Sequence, residues 1–105
     1  MGTTNYYEPP LAKVYVQVKV FFDSVGFMKP VEVIWSNGRT YRIDQVIDMH
    51  ESQVAYSTVR RDKYIVKICG QECNLYFERT RLPRGLQVGR WYVERKAYAP
   101  AKKTA

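Results

Sequence analysis

The sequence predicts an all-β domain, a small antiparallel barrel or sandwich, SH3-like in size, built of six or seven short strands. Three observations carry that prediction. Four valines alternate with other residues between positions 14 and 20. An Asn37-Gly38 pair sits between two β-rich runs, the strongest short-range signal for a hairpin. A second alternating pair of runs flanks Gly70, and no segment carries the 3.6-residue apolar period of an amphipathic helix.

The elements follow in order. Residues 1–12, with Pro9-Pro10, read as a flexible or extended lead-in. From Lys13 to Phe22, Val14, Val16, Val18 and Val20 share one face and Tyr15, Gln17, Lys19 and Phe21 the other, which predicts a half-buried strand. A helix would scatter the valines around its circumference. Residues 23–30 read as a turn. Val31–Ser36 and Arg39–Val46 then pair around Asn37-Gly38. A two-residue loop would set Ile34 opposite Tyr41 and Trp35 opposite Thr40. The core face would then be Ile34, Tyr41 and Ile43, with Glu32 near the strand end and Trp35 on the other face beside Val33.

Asp48–Gln53 fits a helical turn or a loop equally well, and Val54, Tyr56 and Thr58 alternate as a strand does. Tyr64, Val66 and Ile68 face one way, and Cys73, Leu75 and Phe77 continue that face beyond the turn. A Cys69-Gly70 loop would set Lys67 opposite Glu72; a Gly70-Gln71 loop would keep the same apolar face. Residues 79–89 hold one proline and two glycines and read as a long basic loop. Arg90–Lys96 is a last strand, with Trp91 and Val93 on one face and Tyr92 and Glu94 on the other. Residues 97–105 read as a disordered basic tail, leaving 13–96 as one β domain.

Composition supports a single folded unit. The chain has 105 residues, 46% of them hydrophobic and 26% charged, which is enough to build one ordinary core. The longest apolar run, Val14–Phe22, is broken by Gln17 and Lys19 and cannot span a bilayer as a helix. The first residues carry neither a basic n-region nor an apolar stretch, and Tyr6 breaks the myristoylation pattern. The expectation is a cytoplasmic protein without membrane contact.

Most catalytic chemistry lacks its parts. His50 is the only histidine, so any Ser-His or Cys-His mechanism must run through it, and no nucleophile elbow accompanies it. Cys69 and Cys73 with His50 fall short of the four soft ligands of a structural zinc site. Cys69 would point outward at its turn and Cys73 inward as a small core residue, a poor geometry for a disulfide. Asp44 and Asp48 have no supporting acid/base group, and no glycine-rich phosphate loop is present. The sequence therefore predicts no enzyme activity, no cofactor and no metal.

What remains is charge and aromatic content. The net charge is +7, yet residues 1–78 contain nine basic and nine acidic side chains. The whole excess lies in residues 79–105, where eight Lys and Arg face one acid, Glu94. Such asymmetry attracts polyanions. Tyr15, Phe21, Tyr76 and Tyr92 fall on strand faces opposite the expected core. Rings on a sheet beside arginines suit single-stranded nucleic acid, the bases stacking while cations follow the phosphates. That reading assigns Arg79, Arg81, Arg84, Arg90, Tyr76 and Tyr92 as contacts. Exposed Trp35 and the tyrosines would equally make a protein–protein contact patch, the alternative partner class.

The run Ile34-Trp35-Ser36-Asn37-Gly38-Arg39-Thr40-Tyr41-Arg42-Ile43-Asp44-Gln45-Val46, followed by Trp91-Tyr92-Val93-Glu94, resembles small uncharacterised all-β proteins of Gram-positive bacteria. The resemblance covers residues 18–96 and implies an all-β fold. It transfers no functional residue. The connection from Glu78 to Trp91 is longer here than that group implies, and it carries much of the basic charge.

Overall fold

The valine alternation is realised as β1, Leu11–Phe22, two residues longer at its start than the pattern marks. The computed structural model describes residues 11–53 and 60–96, with the backbone alone for 53, 81–84 and 96. The remaining strands are β2 (Met28–Ile34), β3 (Thr40–Arg42), β4 (Gln45–Gln53), β5 (Arg60–Ile68), β6 (Gln71–Arg84) and β7 (Gln87–Lys96). All pair antiparallel in the order β3-β2-β1-β7-β6-β5-β4. The all-β architecture is thus observed, as a sheet curled into a half-barrel, and no described residue is helical.

The curl has two corners. β1 pairs with β7 over Leu11–Val16 and with β2 over Gln17–Phe22, so a single long strand passes from one layer to the other. At the second corner β3 leaves β2 and β4 joins β5 two residues later. Ile43 N–H donates to the Val31 carbonyl at 3.0 Å, and Asp44 N–H donates to the Lys67 carbonyl at 2.8 Å. Bulges bend the strands beside these corners. Val31 is the unpaired residue between Lys19↔Glu32 and Val20↔Pro30, and Ile47 is the one between Val46↔Val66 and Asp48↔Ile65. Pro30 tolerates its strand position because it adjoins a bulge.

Inside the curl, Val33, Ile43, Tyr64, Val66, Leu75, Phe77 and Trp91 form the buried core, with Val16, Val18, Val20, Trp35 and Val93 packed against it. The Tyr64 hydroxyl donates across this core to the Met28 carbonyl at 3.2 Å, tying β5 to β2. Gly89 lets β7 approach β6, because a Cβ there would lie 2.5 Å from Phe77 Cζ and 2.6 Å from the Glu78 carbonyl.

Three elements differ from the sequence reading. The Asn37-Gly38 hairpin has a three-residue loop: Gly38 N–H donates to the Trp35 carbonyl, Trp35 N–H to the Arg39 carbonyl, and only Gly38 has positive φ, 87°. The extra loop residue moves the register by one, to Ile34↔Thr40 and Val33↔Tyr41. Val33 and Trp35 therefore turn toward the core that Ile34 was expected to fill. Asp48–Gln53 is strand, part of β4. The long loop of residues 79–89 is instead a hairpin, β6 running to Arg84 and β7 starting at Gln87. Its register slips between Arg79↔Gly89 and Arg84↔Gln87, so an extended but irregular backbone carries the Pro and Gly that read as a loop.

The Cys69-Gly70 turn follows the first expected register. Both residues have positive φ, 51° and 79°, and Lys67 lies opposite Glu72. Cys73 is exposed rather than a core residue, and both thiols are free. The expected strand at Val54–Thr58 and the two terminal segments, 1–10 and 97–105, lie outside the described residues.

Candidate functional site

The outward face of β1, β7, β6, β5 and β4 carries one continuous cross-strand row. Tyr15 pairs with Tyr92, Tyr92 with Tyr76, Tyr76 with Lys63, and Lys63 with His50. Tyr76 and Tyr92 stack at 5.0 Å between centroids and 16° between planes, and Tyr15 meets Tyr92 edge-on at 5.7 Å. Cations cover the rings. Arg90 lies 3.8 Å above Tyr15, Arg61 4.5 Å from Tyr76 and Lys13 4.8 Å from Tyr92. The result is that Tyr92 is fully buried and Tyr76 is 5% exposed, although both leave the sheet on the side away from the core. Facing outward is not the same as being open, because ring-on-ring contact and long cationic stems shield a row of tyrosines. Neither ring offers a base a free face; of the four aromatics expected to stack, Tyr15 and Phe21 stay exposed, and Tyr15 carries Arg90 over its ring.

The charges of this face are paired within it. Glu78 accepts from Lys13 Nζ at 2.7 Å and from the Tyr15 hydroxyl at 2.9 Å, with Arg90 3.7 Å away. Burial alone would raise the Glu78 pKa. Those donors outweigh it and hold the carboxyl below its usual value. The same bond to Glu78 raises Lys13. Burial, then the hydrogen bond to Glu78, raise the Tyr15 hydroxyl. Arg61 donates to the Tyr92 hydroxyl at 2.8 Å and lies 3.4 Å from Glu94.

The four arginines expected to meet phosphates do not gather on one face. Glu78 and Arg90 point outward, whereas Arg79 points to the inside, where it holds the buried Asp62 through Nε at 3.3 Å and Nη2 at 3.1 Å and also reaches Glu51 at 3.4 Å. Neighbours in sequence alternate sides of a strand, so a basic run does not make a basic patch. Arg81 and Arg84 lie farther along β6, where only the backbone is described.

The unpaired chemistry lies elsewhere, at one mouth of the half-barrel. There the first half of β2 and the edge strand β4 face each other without a ladder, leaving a seam over a cavity of about 700 Å³. Phe22, Phe27, Met49 and Val88 line it, and these four are 43% to 64% exposed. Val25 and Leu86, 79% and 98% exposed, stand on the adjoining turns. Asp23 caps the β1–β2 turn: its Oδ1 accepts from the N–H groups of Val25, Gly26 and Phe27, each at 2.9 Å. Those bonds, the one from Phe27 foremost, hold the Asp23 carboxyl below its usual value. Lys29 and Arg79 stand at the cavity wall, and among the described residues Lys29 enters no ion pair.

The residues at this seam are the ones that sequence reasoning missed. No family model, no curated protein and no solved structure matches the chain. The functional reading therefore rests on this geometry. A signal for the seam does exist in the sequence: Val25, Phe27 and Leu86 are large apolar residues in the turns, where polar residues are the norm, and Val88 follows two residues after the second turn. Among the described residues no three His, Cys, Asp or Glu side chains cluster as metal ligands.

Proposed function

We propose that this chain is a non-enzymatic binding module that takes an extended, apolar, acid-bearing segment of a partner protein at the seam between β2 and β4. One observation carries the reading: large apolar side chains without intramolecular cover are concentrated at that mouth, while the aromatics and several arginines of the outer face are occupied by one another. Contiguous exposed apolar surface on a small domain marks an interaction site. The outer edge of β4 is the last in the sheet and offers unpaired backbone groups, which suits addition of a strand. Lys29, which enters no ion pair among the described residues, stands beside the apolar wall and favours acidic over basic segments, whereas Arg79 there is already paired with Asp62 and Glu51.

A second reading, single-stranded nucleic-acid binding, is favoured by the excess of seven positive charges in residues 79–105. In that reading Arg81, Arg84 and the basic residues after Arg90 carry the phosphate contacts. Selection of displayed random peptides on the purified chain, beside titration with a labelled oligothymidine at several salt concentrations, separates the two. The first reading expects apolar peptides with acidic residues, whose affinity depends weakly on salt and is lost in Val88→Glu. The second expects oligonucleotide affinity that falls steeply with salt and weakens in Arg81→Ala/Arg84→Ala.

A further inference from the structure

The opposite mouth of the half-barrel holds a second cavity, of about 710 Å³. Its origin is a divergence of two strands. β6 and β7 pair from Tyr76↔Tyr92 toward their hairpin, but before Tyr76 the β6 residues pair only with β5, and beyond Tyr92 the β7 residues pair only with β1. Leu75 and Val93, which a continued ladder would set side by side, instead become opposing walls of the cavity. Val66, fully buried, and Trp35 and Tyr41, half-buried, line it as well. An apolar cavity of this size at the mouth of a β-barrel has the dimensions and lining of a small-molecule site.

Charge selects the occupant. Among the described residues two ionic groups touch this cavity, Glu94 and Arg95. The Glu94 carboxylate lies 3.4 Å from Arg61 and is neutralised from the outer face. Arg95 is exposed, its guanidinium 5.6 Å from the centroid of the Trp35 ring, and it enters no ion pair among the described residues. The site therefore pairs an apolar interior with one uncommitted, bidentate cation at its rim. We infer that this mouth binds a small amphipathic carboxylate, its hydrocarbon body lying between Leu75, Val93 and Trp35 and its carboxylate meeting Arg95. This site is independent of the seam between β2 and β4 and does not rest on the function proposed there.

Decanoate is the probe, with 1-decanol as its uncharged counterpart and decyltrimethylammonium as its cationic one. Two-dimensional NMR of the full chain follows the two indole signals. The expected result is saturable movement of the Trp35 indole by decanoate below its micellar range, with the buried Trp91 indole moving less. Decanoate should bind about tenfold or more tighter than decanol, and Arg95→Ala should remove that advantage while leaving decanol unchanged. Cys73→Phe, which enlarges an exposed wall residue, should block both, and Val88→Glu at the other mouth should block neither. Equal affinity for the acid and the alcohol, no effect of Arg95→Ala, loss in Val88→Glu, or no movement of Trp35 at millimolar decanoate would each overturn the assignment. Should Cys73→Phe fail to fold, the Arg95→Ala comparison decides alone.

Discussion

The outer face of β1, β7 and β6 and the seam between β2 and β4 use similar residues to opposite ends. On the outer face, three tyrosines, three cations and two carboxylates satisfy one another, so that a ring pointing away from the core is still fully buried. At the seam, phenylalanines, a methionine and valines have no such cover. Composition counts both sets alike. What separates them is whether cross-strand neighbours complete the contact, and that difference assigns the first region to stability and the second to binding.

The largest expected effect tests the structural side. Tyr92→Ala removes a fully buried ring with partners on three sides, and it should cost about 3–5 kcal/mol in urea unfolding. A loss below about 1 kcal/mol would mean that the row is surface after all. Gly89→Ala comes next, since its Cβ would meet Phe77 and the Glu78 carbonyl inside contact distance. The expected cost is about 1–3 kcal/mol, read from the same unfolding curves.

Acid sensitivity is a smaller effect with a defined sign. Glu78 is held below its usual value of 4.5 in the folded chain, so its contribution is complete above pH 4.5 and is lost as pH falls through the folded value. Asp23 acts in the same direction, from a usual value of 3.8. Thermal melting should therefore decline on acidification below pH 4.5, and Glu78→Gln should flatten the upper part of that decline. An identical pH profile for the variant would remove Glu78 as the hub of the outer face.

Much of the fold was legible in the sequence because strand alternation and turn chemistry are local. The valines of β1, the inward face of β5 and β6 except for Cys73, and a hairpin turn at Gly70 all follow from neighbours in the chain, although the choice between Cys69-Gly70 and Gly70-Gln71 does not. One added loop residue after Trp35 was not legible, and it exchanged Ile34 for Val33 in the core. The candidate site was less legible for a geometric reason. Arg79 and Arg90 belong to one basic run, yet the sheet sends them to opposite sides, each to a carboxylate from a different strand. Phe27 and Val88 lie far apart in sequence and come to line one cavity only through the fold. Pairing between strands decides which outward groups stay free, and the large apolar residues in the turns are its one local trace.

The smallest expected effect on stability belongs to the seam, and it leads to the most direct test. Val88→Glu changes a residue that is 60% exposed and should alter unfolding by no more than about 0.5 kcal/mol. The decisive measurement is the affinity of a selected apolar, acid-bearing peptide for the wild-type chain and for Val88→Glu, with Arg81→Ala/Arg84→Ala alongside, at low and high salt. The seam account predicts loss of binding in Val88→Glu alone, with little change between salt concentrations. Peptide binding that survives Val88→Glu, beside oligonucleotide binding that collapses with salt and with the arginine substitutions, would contradict it.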